Sequence, residues 1–107
     1  MTTFDKRKDA YESKFAHDEA LRFKANSRRN RLLGLWAAEQ LGKTGSEADD
    51  YAREVVRSDF QEAGDDDVLR KIRGDLEAAG APQTEQQIRA TMDSLLAQAI
   101  ESIEAET

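Results

Sequence analysis

At 107 residues, with 36% charged and 7% aromatic side chains and a formal net charge of −6, the chain has the size of one domain and a helix-favouring composition. Cysteine is absent, which excludes disulfides, thiol nucleophiles and thiolate metal sites together. No apolar run approaches the roughly 18 residues a spanning helix needs, and no apolar stretch near the N-terminus reads as a secretory signal.

The first 31 residues stand apart. They carry nine Lys/Arg against five Asp/Glu, a net +4, whereas residues 32–107 carry seven bases against seventeen acids, a net −10. Five acids in this stretch argue against an organelle transit peptide, which would be acid-poor. Residues 1–18 have too few apolar side chains to dock on a core, so they are expected to form a flexible arm. At 100° per residue Phe4, Tyr11 and Phe15 fall within about 40° of one another, with charge around the rest of the surface. Such a segment is marginal as an isolated helix and suited to folding against a partner that supplies apolar surface.

Residues 19–107 read as a small four-helix bundle, with helices near 19–41, 46–63, 66–79 and 84–104. The first carries Leu21, Leu32, Leu33, Leu35 and Trp36 and stops at Gly42; Trp36 is expected at the centre of the core. Thr44 with Glu47 has the form of a capping box for the second, or Ser46 caps it, and Tyr51, Ala52, Val55, Val56 and Phe60 make its stripe before Gly64. Asp65, Asp66 and Asp67 suit the start of the third, where carboxylates accept free N–H groups and oppose the macrodipole. Val68, Leu69, Ile72, Leu76 and Ala79 follow, and Gly80 with Pro82 closes it. Thr84 with Gln87 opens the fourth, with Ile88, Met92, Leu95, Leu96, Ala99, Ile100 and Ile103 on one face. Short loops favour antiparallel neighbours, so the class is all-α.

Few residues offer chemistry. Ala37 to Thr44 fits a degenerate phosphate-loop spacing, but a helix precedes Gly42 where a strand is required, so a helix stop explains it better. Lys43 and Thr44 are left as weak candidates for a nucleotide contact. Lys24 to Arg31 has the look of a DNA-reading basic helix, yet no leucine heptad follows and the net charge repels phosphate, so no nucleic-acid partner is expected. His17, the one histidine, has no second imidazole or thiol to complete a metal site. The aspartate run at 65–67 fails the calcium-loop pattern, with Leu69 at the fifth position. No catalytic residue and no metal is expected, and the chain is not read as an enzyme.

Phe15-Ala16-His17-Asp18, Phe23-Lys24-Ala25 and above all Arg28-Arg29-Asn30-Arg31-Leu32-Leu33-Gly34-Leu35-Trp36-Ala37-Ala38-Glu39 resemble the zeta subunit of alphaproteobacterial F-type ATP synthases. Met1-Thr2-Thr3-Phe4-Asp5, the Tyr51 to Val56 stretch and Asp59 to Lys71 are similar to it too, and the likeness loosens after about Gly80. The resemblance implies a protein inhibitor of ATP hydrolysis by the catalytic sector, with the bundle as anchor and the N-terminal segment inserted between stator and rotor. It implies the alpha, beta and gamma subunits as partners, and a cytoplasmic place peripheral to the inner membrane.

On that resemblance the inhibitory stretch is Met1 to about Lys14, with flanking residues to His17. The residues expected to meet the partner are Phe4, Asp5, Lys6, Arg7, Lys8, Tyr11, Lys14, Phe15 and His17, while Arg22 to Arg31 begin the anchoring helix. A weak regulatory ATP or ADP site is attributed to some members. The isolated chain is expected to be a monomer. Two alternatives stay open on the residues: a nucleotide-binding regulatory bundle whose arm matters little, and an arm lying on anionic membrane, disfavoured by its thin apolar face.

Overall fold

The longest uninterrupted element near the N-terminus is α1 (Glu19–Gln40), which opens where the Asp18 side chain accepts the Leu21 N–H at 3.1 Å and Glu19 faces the positive end of the helix dipole. The computed structural model describes residues 18–59 and 65–106. Three further helices follow: α2 (Gly45–Ser58), α3 (Asp66–Ala78) and α4 (Glu85–Glu106). The expected all-α, four-helix architecture is observed, and there is no strand among the described residues.

α1 is the organising element. Its buried residues fall in two rows spaced by four, one of Ala25, Arg29, Leu33 and Ala37 and one of Asn30, Gly34 and Ala38. Burial extends this far around the helix because α1 touches all three others, while α2 and α4 do not meet among the described residues. Gly34 allows the closest approach. A Cβ built on it would lie 2.6 Å from the Ala52 Cα, so only hydrogen fits where α1 crosses α2.

Two apolar cores result. The larger joins Leu33, Ala37 and Ala38 of α1 to Tyr51 and Val55, to Val68, Ile72 and Leu76, and to Ile88 and Met92 of α4. Leu33, Ile72, Leu76 and Ile88 are fully buried, which contributes about 1.5–3 kcal/mol each. The smaller joins Ala25 in the first half of α1 to Ile100 and Ile103 at the far end of α4, with Leu21 and Leu96 at its margin. Trp36 is half-buried at the edge of the larger core rather than at its centre. The centre is filled instead by the Leu33 row, which leaves room for alanines and the close α1–α2 crossing.

Helix ends follow three of the expected signals and depart from three. Gly42 (φ +75°) and Gly80 (φ +76°) occupy left-handed positions that admit glycine without a Cβ penalty. Around them Lys43 N–H donates to Ala38 O and Ala81 N–H to Leu76 O, both at 2.9 Å, while the glycine N–H groups bond the Glu39 and Glu77 carbonyls. Thr84 and Gln87 exchange both bonds of a capping box, at 2.9 and 3.1 Å.

Thr44 makes no side-chain cap; only its carbonyl accepts from Glu47 N–H. Gly45 follows with φ +55°, outside the helical region, so the first turn lacks the geometry a capping box requires. Asp65 holds the N-cap position of α3, but its carboxylate is taken by another partner rather than by free N–H groups. α2 ends at Ser58, with Asp59 as its C-cap, ahead of the expected stop at 63; Phe60 and Gly64 lie outside the described residues.

Candidate functional site

The residues expected to meet a partner through the arm, Phe4, Asp5, Lys6, Arg7, Lys8, Tyr11, Lys14, Phe15 and His17, lie outside the described residues. The structure describes what they emerge from. Immediately after them comes capped α1, and its first half is tied to the end of the chain. Arg28 donates to Ser102 Oγ and to Glu106, both at 2.8 Å, and Lys24 reaches the other Glu106 oxygen at 3.3 Å. Two cations on one carboxylate hold Glu106 below the usual carboxylate range, Arg28 having the larger effect. Beneath this clamp lies the smaller apolar core. The root of the N-terminal segment is therefore a docked helix, fixed by packing and by charge.

One turn further along, α1 carries a buried polar group. Arg29 is 3% exposed and Asn30 fully buried. Arg29 donates to Asn30 Oδ1 at 2.8 and 3.1 Å, and through both terminal nitrogens to Asp65 at 2.8 and 3.2 Å. The Arg29 bond pulls the Asp65 carboxyl down from its ordinary value. Asp59 behaves oppositely: burial pushes its carboxyl up, and neighbouring Asp65 and Asp67 add to this, while Arg29 and the Asn30 amide work against it. The Asn30 Nδ2 lies near Asp59 without hydrogen-bond geometry, and Asp67 Oδ2 is likewise buried without a partner. This cluster joins the middle of α1 to both ends of the α2–α3 connection.

Lys43 sits at a groove of about 390 Å³ beside Tyr51, Glu54, Lys71 and Asp75; Thr44 is exposed and does not line it. Tyr51 donates to Asp75 at 2.7 Å, and its hydroxyl is pushed up by burial first and by Asp75 second. Lys71 lies over the Tyr51 ring at 5.1 Å and pairs with both Asp75 and Glu54. Two carboxylates thus share the groove with two lysines. That arrangement neutralises the cations and opposes a polyphosphate. Among the described residues no group of three or more His, Cys, Asp or Glu is arranged to hold a metal ion, and no helix is long and apolar enough to cross a membrane.

The residues that sequence reasoning passed over are Arg29, Asn30, Ser102 and Glu106. The burial of the first two carries a legible signal, since each stands four residues before a core position, Leu33 and Gly34. The pairing of Arg28 with Glu106 carries none, because it joins residues 78 apart.

Residues 1–102 match the protein family described as ATPase inhibitor subunit zeta. A protein solved by solution NMR is similar over 81% of this chain and 99% of its own, with 48% identity and a TM-score of 0.71. No curated protein matches.

Proposed function

The chain belongs to the ATPase inhibitor subunit zeta family, and we propose that it restrains ATP hydrolysis by the F-type ATP synthase by placing residues 1 to about 17 between the stator and the rotor of the catalytic sector. The observation that carries this reading is the extent of the family match. It begins at residue 1, so it takes in the aromatic N-terminal segment together with the helices.

Physical chemistry supports the division of labour. Residues 1–17 carry four Lys/Arg against three Asp/Glu, with Lys6, Arg7 and Lys8 in one run that can pair with acidic groups, and three aromatics to anchor within a cleft. α1 then carries it on a helix that the Glu106 clamp and the smaller core hold in place. A wedge so anchored blocks a conformational cycle without chemistry of its own, which is why no catalytic constellation is needed. The partners in this reading are the alpha, beta and gamma subunits, at the cytoplasmic side of the inner membrane.

Deleting residues 2–14 tests it. The truncated chain is expected to keep its helical circular dichroism spectrum and to lose inhibition of the cognate ATPase. Full inhibition by the truncated chain would overturn the proposal.

A further inference from the structure

A basic feature lies on the bundle, away from the N-terminal segment. Where α1 crosses α2, a shallow groove of about 320 Å³ is lined by Arg31, Arg53 and Arg57, with Ala52 and Val56 as its apolar floor. Arg53 and Arg57 are neighbours four residues apart on α2, and the close approach at Gly34, where a Cβ would lie 2.6 Å from the Ala52 Cα, sets Arg31 of α1 on the same groove.

The charges are little compensated. Arg53 pairs with Asp50 at 2.9 Å, both side chains being more than 60% exposed, and such pairs are weak. Among the described residues neither Arg31 nor Arg57 has an ion pair. The helix dipole gives Arg57 one reason for its place in the last turn of α2; it gives Arg31 none. Three cations converge in a region, residues 32–107 with Arg31 at its edge, whose net charge is −10 and where carboxylates are plentiful. Like charges at one seam repel unless an anion completes them.

We infer that this groove is a docking surface for an acidic protein segment, in which carboxylates pair with Arg31, Arg53 and Arg57 over the Ala52–Val56 floor. This rests on the reading that the chain acts on ATP synthase. Guanidinium groups suit carboxylates through paired N–H donors, and their planar faces suit an apolar floor. A nucleic acid is disfavoured by the −6 charge of the whole chain, and a nucleotide by the absence of any aromatic ring to stack a base among the described residues of the lining. Arg31 stands twelve residues beyond Glu19, so the surface lies about 18 Å along α1 from the root of the N-terminal segment. The molecule would then hold its partner at two separate places, one to anchor and one to block.

Association of the full chain with purified catalytic sector, followed by biolayer interferometry at low and high salt, tests this. The variant combining Arg31→Glu and Arg57→Glu is expected to associate about 10-fold more slowly at low salt, with the difference shrinking at high salt. Arg31→Gln with Arg57→Gln, checked by an unchanged melting temperature, is expected to show a smaller effect of the same sign. Unchanged association of both variants overturns the proposal, as does a wild-type chain that does not bind. Dimerisation of the chain that the variants abolish, with binding to the catalytic sector intact, assigns the groove to a second copy and also overturns it. Because association is read directly, a chain that binds without inhibiting counts against the inhibitor reading alone.

Discussion

Arg29, within the middle of α1, donates both terminal nitrogens to Asp65, the residue that immediately precedes α3. The pair is unequal: the Arg29 side chain is 4% exposed and that of Asp65 44%. Arg29 also satisfies Asn30 Oδ1, so it serves as the hub of the polar cluster. Replacing it by Met keeps volume but leaves a fully buried acceptor without donors, whereas Asp65 can turn to water. A loss of about 2 kcal/mol is expected from Arg29→Met in urea denaturation. A variant as stable as wild type would show that the cluster does not hold the helices.

The two carboxylates of that cluster act in opposite pH windows. Asp59 has a folded pKa above its unfolded value, so its stabilising contribution belongs to the protonated form and is lost as pH rises through the folded pKa. Asp65 has a folded pKa below its unfolded value, so its contribution is present at neutral pH and lost as pH falls through the folded pKa. Asp59→Asn should therefore stabilise at pH 7, by about 0.5 kcal/mol from relief at the negative end of α2 alone, and the gain should vanish as pH falls through the folded pKa of Asp59. Asp65→Asn should destabilise at pH 7 and approach wild type in strong acid. Melts between pH 7 and 3 check both, and parallel curves for the two variants would contradict the assignment.

Gly34 and Gly74 offer a paired test of packing. A Cβ at Gly34 meets the Ala52 backbone at 2.6 Å, while nothing lies within 4 Å of one at Gly74, an exposed site in α3. Gly34→Ala should cost about 1–3 kcal/mol by forcing α1 and α2 apart. Gly74→Ala should gain up to about 1 kcal/mol from helix propensity. Equal effects would mean that the crossing is looser than the geometry indicates.

Glu106 makes a prediction about local order. Glu106→Ala removes the shared partner of Lys24 and Arg28. Amide hydrogen exchange is expected to rise in the first half of α1 and to stay unchanged at Leu33 and Ala37 in the larger core. Unchanged exchange throughout would show that the smaller apolar core alone holds the root.

Much of this fold is written locally. The Gly42 and Gly80 stops and the Thr84–Gln87 box are decided by neighbours within four residues, and they are legible as such. Thr44 and Asp65 show where local reading ends. Each carries a good cap chemistry, but Gly45 alters the first and Arg29, 36 residues away, captures the second. Arg29 and Asn30 belong to a stretch whose charge points to a surface, although their spacing to Leu33, Gly34, Ala37 and Ala38 marks a buried face. The groove of Arg31, Arg53 and Arg57 depends on the α1–α2 crossing, which no single helix encodes.

The central claim is that the N-terminal segment enters the stator–rotor interface. A photo-cross-linking amino acid at Tyr11, activated while the full chain holds the cognate synthase inhibited, tests it most directly. Covalent capture of both a catalytic and a rotor subunit is the predicted result. Inhibition accompanied by capture of neither, or of an outer-surface subunit alone, would contradict the account.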